Sequence, residues 1–366
     1  MKPVKIAIFC PIGYVTGGPR ALHQLCDEFR NLGQNAKLIP TVVYGTPAEE
    51  YKDYDAPISS LEFAQTADII ITPETHLNFD ESIGSFSKRN IYVWWLSVDN
   101  CPESIFNNYE NRRNPLRLRK MLSARDLITL KKNYTIALLK KKYCQISLDS
   151  VAEVKPVVKL DFKDVSHIAQ SLYAQDILKT ELGIHAPIVS DYIHRENYKI
   201  QTIVRGQNKK IVAYNYAKSH LLLGKIIKRM SKNIEFVPLQ KMSSIEIRNQ
   251  LANSDLYIDM GHFPGRDRLP REAISMGCPV LLARRGAARY YGDFKLGEEF
   301  RFDIVNSNAR DLGSMIIQLL NQGSDLVEKQ KIFATSVDQD KKDFQREVKE
   351  FLIILQAQVE SELFRE

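Results

Sequence analysis

The apolar positions of the chain fall into short continuous runs separated by stretches with helical spacing. Val4 to Cys10 has the length and composition of a buried parallel strand. A loop with Gly13, Gly17 and Gly18 follows it. Ala21, Leu22, Leu25, Phe29 and Leu32 then recur on one face of a predicted helix over Pro19 to Leu32. Gly33 is placed to cap that helix, and Ala36 to Ile39 opens a second strand. Ala67 to Thr72 predicts a further strand leading into Glu74 and His76, and Ile91 to Val98 another, carrying Trp94 and Trp95 and ending at Asp99. His167 to Glu196 reads as a helix, a break at Gly183 and a short apolar run over Ala186 to Val189 that leads to Asp191.

A second series starts at Ile211. Ile211 to Tyr214, Ile234 to Pro238, Leu256 to Met260 and Val280 to Ala283 predict strands. Leu221 to Met230, Ser244 to Ala252 (capped by Ser243 or Ser244) and Arg271 to Met276 (stopped by Gly277) predict the helices between them. Strands alternating with helices predict parallel sheets covered on both faces, with ligands outside the carboxyl ends of the strands. The expected fold class is therefore α/β, with two facing Rossmann-like domains. We expect a first domain over 1–193, a polar linker over 194–209, a second domain over 210–335 and a C-terminal helix over 336–366. Phe344, Val348, Phe351, Leu352, Leu355, Val359 and Leu363 give that helix one apolar face, expected to pack back on the first domain.

A length of 366 residues suits this division, at roughly 100 to 200 residues per domain. Apolar residues make up 44% and charged residues 26%, the balance of a globular chain. No apolar run approaches the ~20 residues that span a bilayer, and the run after Lys5 is too short for a signal peptide, so a cytoplasmic protein is expected. Cys10, Cys26, Cys101, Cys144 and Cys278 have no metal-ligand or redox spacing and read as core residues. The net charge of +7 suits an anionic ligand or an anionic membrane surface and falls short of a dedicated nucleic-acid binder. Much of the excess sits at about 112–142, where Arg112, Arg117, Arg119, Lys131 and Lys140 alternate with Leu116, Leu118, Leu122 and Leu127. This amphipathic segment is either a solvated helical face or a dock for anionic head groups or a phosphorylated acceptor.

The densest chemistry lies between Asp259 and Ala273, after a strand and at the start of a helix. His262, Arg266, Asp267, Arg268, Arg271 and Glu272 share this stretch with Gly261 and Gly265. A structural loop needs its glycines and prolines but not that many ionisable groups. The N-terminus of a helix beginning near Pro270 offers free N–H groups and a positive dipole end to a phosphate. Arg266 and Arg268 supply forked, charge-assisted donors, and the glycines allow close approach.

Pro270-Arg271-Glu272-Ala273-Ile274-Ser275-Met276-Gly277-Cys278-Pro279-Val280 resembles the donor-site motif of GT-B glycosyltransferases, a group that includes many retaining enzymes. The resemblance implies that Glu272 holds the donor ribose and that the small helix carries the donor phosphates at its start. The further glutamate that the family carries eight positions earlier is Pro264 here, with Asp267 or His262 nearby as substitutes. Ile211 to Lys218 resembles the opening of the family's donor domain, which puts Tyr214, Asn215 and above all Lys218 at the diphosphate. Gly17 and Gly18 resemble the paired glycines that face the cleft from the acceptor domain, and Gly286 to Arg289 predicts a further donor-side turn. The resemblance implies transfer from a nucleotide-sugar donor to a glycan or lipid-linked acceptor, in surface polysaccharide biosynthesis. A nucleotide-sugar epimerase or a non-catalytic nucleotide-sugar-binding subunit of the same fold are the alternatives. Glu74, His76 and Asp99, at strand ends of the first domain, are the catalytic candidates. No metal or other obligatory cofactor is expected, because the Asp-x-Asp spacing at Asp53 and Asp55 falls in a turn-rich stretch away from a strand end. No G-x-G-x-x-G or P-loop motif is present.

Overall fold

The computed structural model describes residues 3–43, 48–76, 78–80, 90–100, 157–159, 164–193, 209–218, 221–304 and 306–363. The basic segment at 112–142, the linker at 194–208, Cys101 and Cys144 lie outside the described residues. Among those described, two five-stranded parallel sheets face each other. The first contains β1 (Lys5–Ile12), β2 (Asn35–Val43), β3 (Ile69–Pro73), β5 (Ile91–Trp95) and β7 (Ser166–Ala169), in the order β2-β1-β3-β5-β7. A small antiparallel pair, β4 (Asn78–Asp80) with β6 (Val157–Lys159), stands apart from it. The second sheet contains β8 (Lys210–Asn215), β9 (Ile234–Leu239), β10 (Leu256–Asp259), β11 (Val280–Ala283) and β12 (Arg301–Phe302), in the order β12-β11-β10-β8-β9. In both, the strand order reverses beside the first strand of the sheet, which opens a crevice at the carboxyl ends.

The apolar runs form strands because both faces of each sheet are covered. Every residue of β3, β5, β10 and β11 is buried. Helices α1 (Gly17–Asn31), α2 (Leu61–Gln65) and α3 (Leu172–Leu182) accompany the first sheet. Helices α4 (Leu221–Met230), α5 (Ser244–Ala252), α6 (Arg268–Ser275), α7 (Ala309–Leu320) and α8 (Ser324–Lys329) accompany the second, and α9 (Lys331–Leu363) ends the chain. On α1, Ala21, Leu22, Leu25, Cys26 and Phe29 are buried, and Gly33 takes the left-handed φ of 78° that ends the helix. Ser243 closes a capping box with Glu246 at the start of α5.

Among the boundaries that differ from the sequence reading, three bear on the site and the core. His167 belongs to β7 and α3 starts only at Leu172, with Ser171 as its cap, because a buried strand of four residues has no periodicity to separate it from a helix start. Helix α6 begins at Arg268, so Pro270 sits in the first turn, where its missing N–H costs nothing. Helix α9 begins at Lys331 and is continuous to Leu363.

Its early residues Phe333 and Val337 join the core that includes Phe294 and Val280 of the second half. Its later residues Phe344, Val348, Phe351, Leu352 and Leu355 join the core under β1 and α1. Phe351 meets Phe29 at 6.3 Å and Tyr92 at 5.2 Å between ring centres. Burying each such ring contributes about 1.5–3 kcal/mol. Cys10, Cys26 and Cys278 are buried free thiols. No helix among the described residues is long and apolar enough to cross a membrane.

Candidate functional site

The carboxyl ends of β1, β3 and β5 face those of β8 and β10 across a cavity of about 570 Å³. That volume is in the range of a ligand pocket. The loop before α1 contributes Tyr14 and Thr16, the first turn of α1 contributes Gly17 and Gly18, and Glu74, Leu96 and Ser97 come from the ends of β3 and β5. Asn215, Lys218 and the run from Gly265 to Leu269 close the other side.

Close backbone approach explains Gly261 and Gly265 of this cleft. A Cβ on Gly265 would lie 2.3 Å from the Leu96 carbonyl oxygen and 2.8 Å from Gln170 Oε1. The next residue, Arg266, donates its N–H to Gln170 Oε1 at 3.0 Å, and Val98 donates to the Pro264 carbonyl at 3.0 Å. A Cβ on Gly261 would lie 2.4 Å from Cβ of Lys218. A Cβ on Gly17 would meet the Arg268 side chain only at 3.5 Å, ordinary contact distance.

The arginines of this loop have different roles. Arg271 is fully buried and donates to both Asp191 carboxylate oxygens, at 2.7 and 2.9 Å, and to Asp340 at 3.2 Å. It lies outside the cavity lining, behind Asp191, and clamps α6 to the end of the first domain and to α9. Arg266 reaches the cavity edge but spends its guanidinium on Asp340 at 2.6 Å and on the Asp293 carbonyl. Burial opposes its charge, and Asp340 and Asp191 outweigh that and raise its pKa. Arg268 lines the cavity, donates to Glu272 at 3.3 Å and to the Tyr192 carbonyl at 3.2 Å, and has its pKa lowered mainly by burial. Glu272 is thus held one turn into α6 by Arg268, outside the cavity lining. Lys218 Nζ is paired with Asp267 and donates to the His262 carbonyl at 3.0 Å.

Asn215 shapes the turn that carries Lys218. Its Oδ1 accepts from the Lys218 N–H at 3.2 Å, and its Nδ2 donates to Asp259 at 2.9 Å. Asp259 is buried and also accepts from Tyr257 and from the Gly261 N–H, so it joins the loops after β8 and β10. Burial raises its pKa. Tyr214 is buried just before this turn and does not line the cavity.

Of the three catalytic candidates, Glu74 alone lines the cavity. It is 1% exposed and accepts from the N–H groups of Leu96 at 2.9 Å and Ser97 at 2.8 Å. Burial pushes its pKa up to about 7. His76 stacks on Phe9 at 5.5 Å, and burial lowers its pKa. Asp99 is turned to the Tyr173 hydroxyl at 3.1 Å and to His262 Nε2 at 2.5 Å, a contact between the two domains beside the cavity. The Gly286–Arg289 turn takes a left-handed φ of 54° at Gly286 and packs on Phe263 from behind the loop.

Sequence reasoning missed Gln170, Asp191, Asp293 and Asp340, which hold the loop in place. Gln170 directly follows one apolar run and Asp191 comes one residue after another, positions that flag strand-end polar residues, whereas Asp293 and Asp340 carry no local signal.

No protein-family model matches the chain, and no curated protein matches it in sequence. Among solved structures, a glycosyltransferase from Rickettsia africae ESF-5 aligns with a TM-score of 0.57 at 12% identity, over 98% of this chain and 99% of that one. WaaG, a glycosyltransferase involved in lipopolysaccharide biosynthesis, aligns with a TM-score of 0.50 at 11% identity, over 96% of this chain and 99% of that one. At these identities the likeness is one of fold. The chain has the GT-B fold, with the cavity at the place where the two Rossmann-like sheets meet.

Proposed function

We propose that this chain is a glycosyltransferase that moves a sugar from a nucleotide-sugar donor to a glycan or lipid-linked acceptor. The observation that carries the reading is the inter-sheet cavity, where Lys218, Arg268 and the start of α6 converge from the second domain opposite Gly17, Gly18 and Glu74 of the first. Cations and a helix N-terminus are suited to the charge that develops on a departing diphosphate. Lys218 meets the phosphates with Arg268 beside it, Arg268 keeping its bond to Glu272, and Glu272 receives the ribose hydroxyls. These groups supply the counter-charge from the protein, so the reaction runs without an obligatory metal. Glu74, with a pKa near neutrality at the acceptor side, is the group placed to take the acceptor proton.

The setting is the cytoplasm, with peripheral contact to the anionic inner face of the membrane during surface polysaccharide assembly. The basic residues of 112–142 support that contact by their sequence. The test is incubation with a panel of radiolabelled nucleotide-sugars and lipid or glycan acceptors, with and without a chelator. Label in the acceptor supports the proposal, and undiminished transfer with chelator supports metal independence. Isomerised donor without transfer, or donor binding without turnover on any acceptor, overturns it.

A further inference from the structure

The cations around the cavity are already matched by carboxylates of the protein. Arg271 is paired with Asp191 and Asp340, Arg266 with Asp340, Arg268 with Glu272, and Lys218 with Asp267. An incoming diphosphate therefore has to displace one of these carboxylates rather than fill an empty set of donors. Exposure decides which one. The side chains of the arginine pairs are between 0% and 14% exposed. In the Lys218–Asp267 pair they are 30% and 22% exposed, and both residues line the cavity. Replacing a partner in the buried pairs strands a desolvated charge, whereas the open pair can exchange its anion in contact with water.

Asp267 also has somewhere to go. It is the N-cap residue of α6, yet its side chain makes no cap hydrogen bond. An N-cap carboxylate ordinarily accepts from the N–H of the second or third helical residue. Pro270 removes the third of these, so Leu269 supplies the available N–H. The carboxylate is turned to Lys218 in place of that bond.

Resting on the donor-site reading above, we infer that Asp267 is a built-in competitor of the donor phosphates: it occupies Lys218 in the empty cleft and is displaced onto the Leu269 N–H when a diphosphate binds. The exchange tunes affinity downwards. It weakens the hold on the nucleoside diphosphate left after transfer, because Asp267 returns to Lys218 as that product leaves. It acts on the phosphates alone and is indifferent to the base.

Calorimetric titration of the full-length protein with the five common nucleoside diphosphates, and with the matching uncharged nucleosides, tests this. Asp267→Asn keeps the side-chain size and removes the charge. It is expected to tighten diphosphate binding by about threefold to tenfold, with nucleoside binding unchanged. In a Lys218→Met background the same substitution is expected to gain clearly less, since the freed cation is no longer there. Equal or weaker diphosphate binding by Asp267→Asn, in a protein whose wild type binds, overturns the inference and leaves the donor site standing. An equal gain in both backgrounds also overturns it, reducing Asp267 to a repelling charge. Silence from every variant with every diphosphate overturns the donor-site reading and this inference with it.

Discussion

The guanidinium of Arg271 is fully buried against Asp191 and Asp340, while the ammonium of Lys218 lies open to the cavity. The two cations should therefore separate stability from binding. Arg271→Met takes the two-oxygen donor from the buried Asp191 and leaves Asp340 with Arg266 alone, and is expected to cost about 3–5 kcal/mol in urea unfolding. Lys218→Ala removes a half-exposed pair, is expected to cost less than about 1 kcal/mol, and should weaken nucleotide binding by about tenfold or more. A large stability loss from Lys218→Ala with unchanged affinity would reverse these roles. Glu74 gives a pH signature at the same scale. Its pKa rises from an ordinary 4.5 to about 7 on burial. Between these values the unfolded state loses its proton while the folded state keeps it, so this carboxyl makes stability fall as pH rises from 4.5 to 7. The shift corresponds to roughly 3 kcal/mol at most. Glu74→Gln should flatten that part of the stability–pH curve, and a parallel curve for wild type and variant would remove the assignment.

Among the elements, the 261–268 loop depends on glycine where two backbones nearly touch. Gly265→Ala places a methyl group 2.3 Å from the Leu96 carbonyl, which cannot yield as a side-chain tip can. The loop should move off the first domain and carry Arg266 and Arg268 with it. The expected result is loss of nucleotide binding by about tenfold or more, from a displacement of an ångström or so. Ser243→Ala is the matched control, since it breaks the α5 capping box at about 1 kcal/mol and leaves the cleft alone. Equal binding by Gly265→Ala and Ser243→Ala would show that the close approach does not set the site. The alternation of strands and helices was legible in the sequence because fully buried strands such as Ile69–Pro73 and Val280–Ala283 are continuous apolar runs between glycine and proline punctuation. The loop from Asp259 to Glu272 was legible by its density of charge. Which of its charges faces the cavity was not, because that is decided by pairing with Asp191 and Asp340, which lie far from the loop in the sequence. The strand at His167 was hidden for a different reason: four residues are too few to display a period.

At the scale of the whole molecule, α9 ties the two halves into one body. Phe333 and Val337 join the cluster that holds Phe294 and Val280 of the second half, and Phe344, Val348, Phe351, Leu352 and Leu355 the one around β1 and α1 of the first. Asp340 lies between these anchors and holds Arg266 and Arg271 of the candidate site. Glu347, one turn beyond Phe344, accepts from the N–H and hydroxyl of Ser190 at 2.8 and 2.6 Å. A helix that cannot leave one core without disturbing the other makes the halves unfold together. Phe351→Ala empties a contact with Phe29 and Tyr92, far from the cleft, and should cost about 3–5 kcal/mol. If the coupling holds, the variant unfolds in a single transition at lower temperature, and a nucleotide bound by the second domain raises that whole transition by mass action. Calorimetric scans with and without nucleotide decide it. A variant trace that splits, with the nucleotide moving only one of the two peaks, would mean that α9 connects the halves without joining their stability.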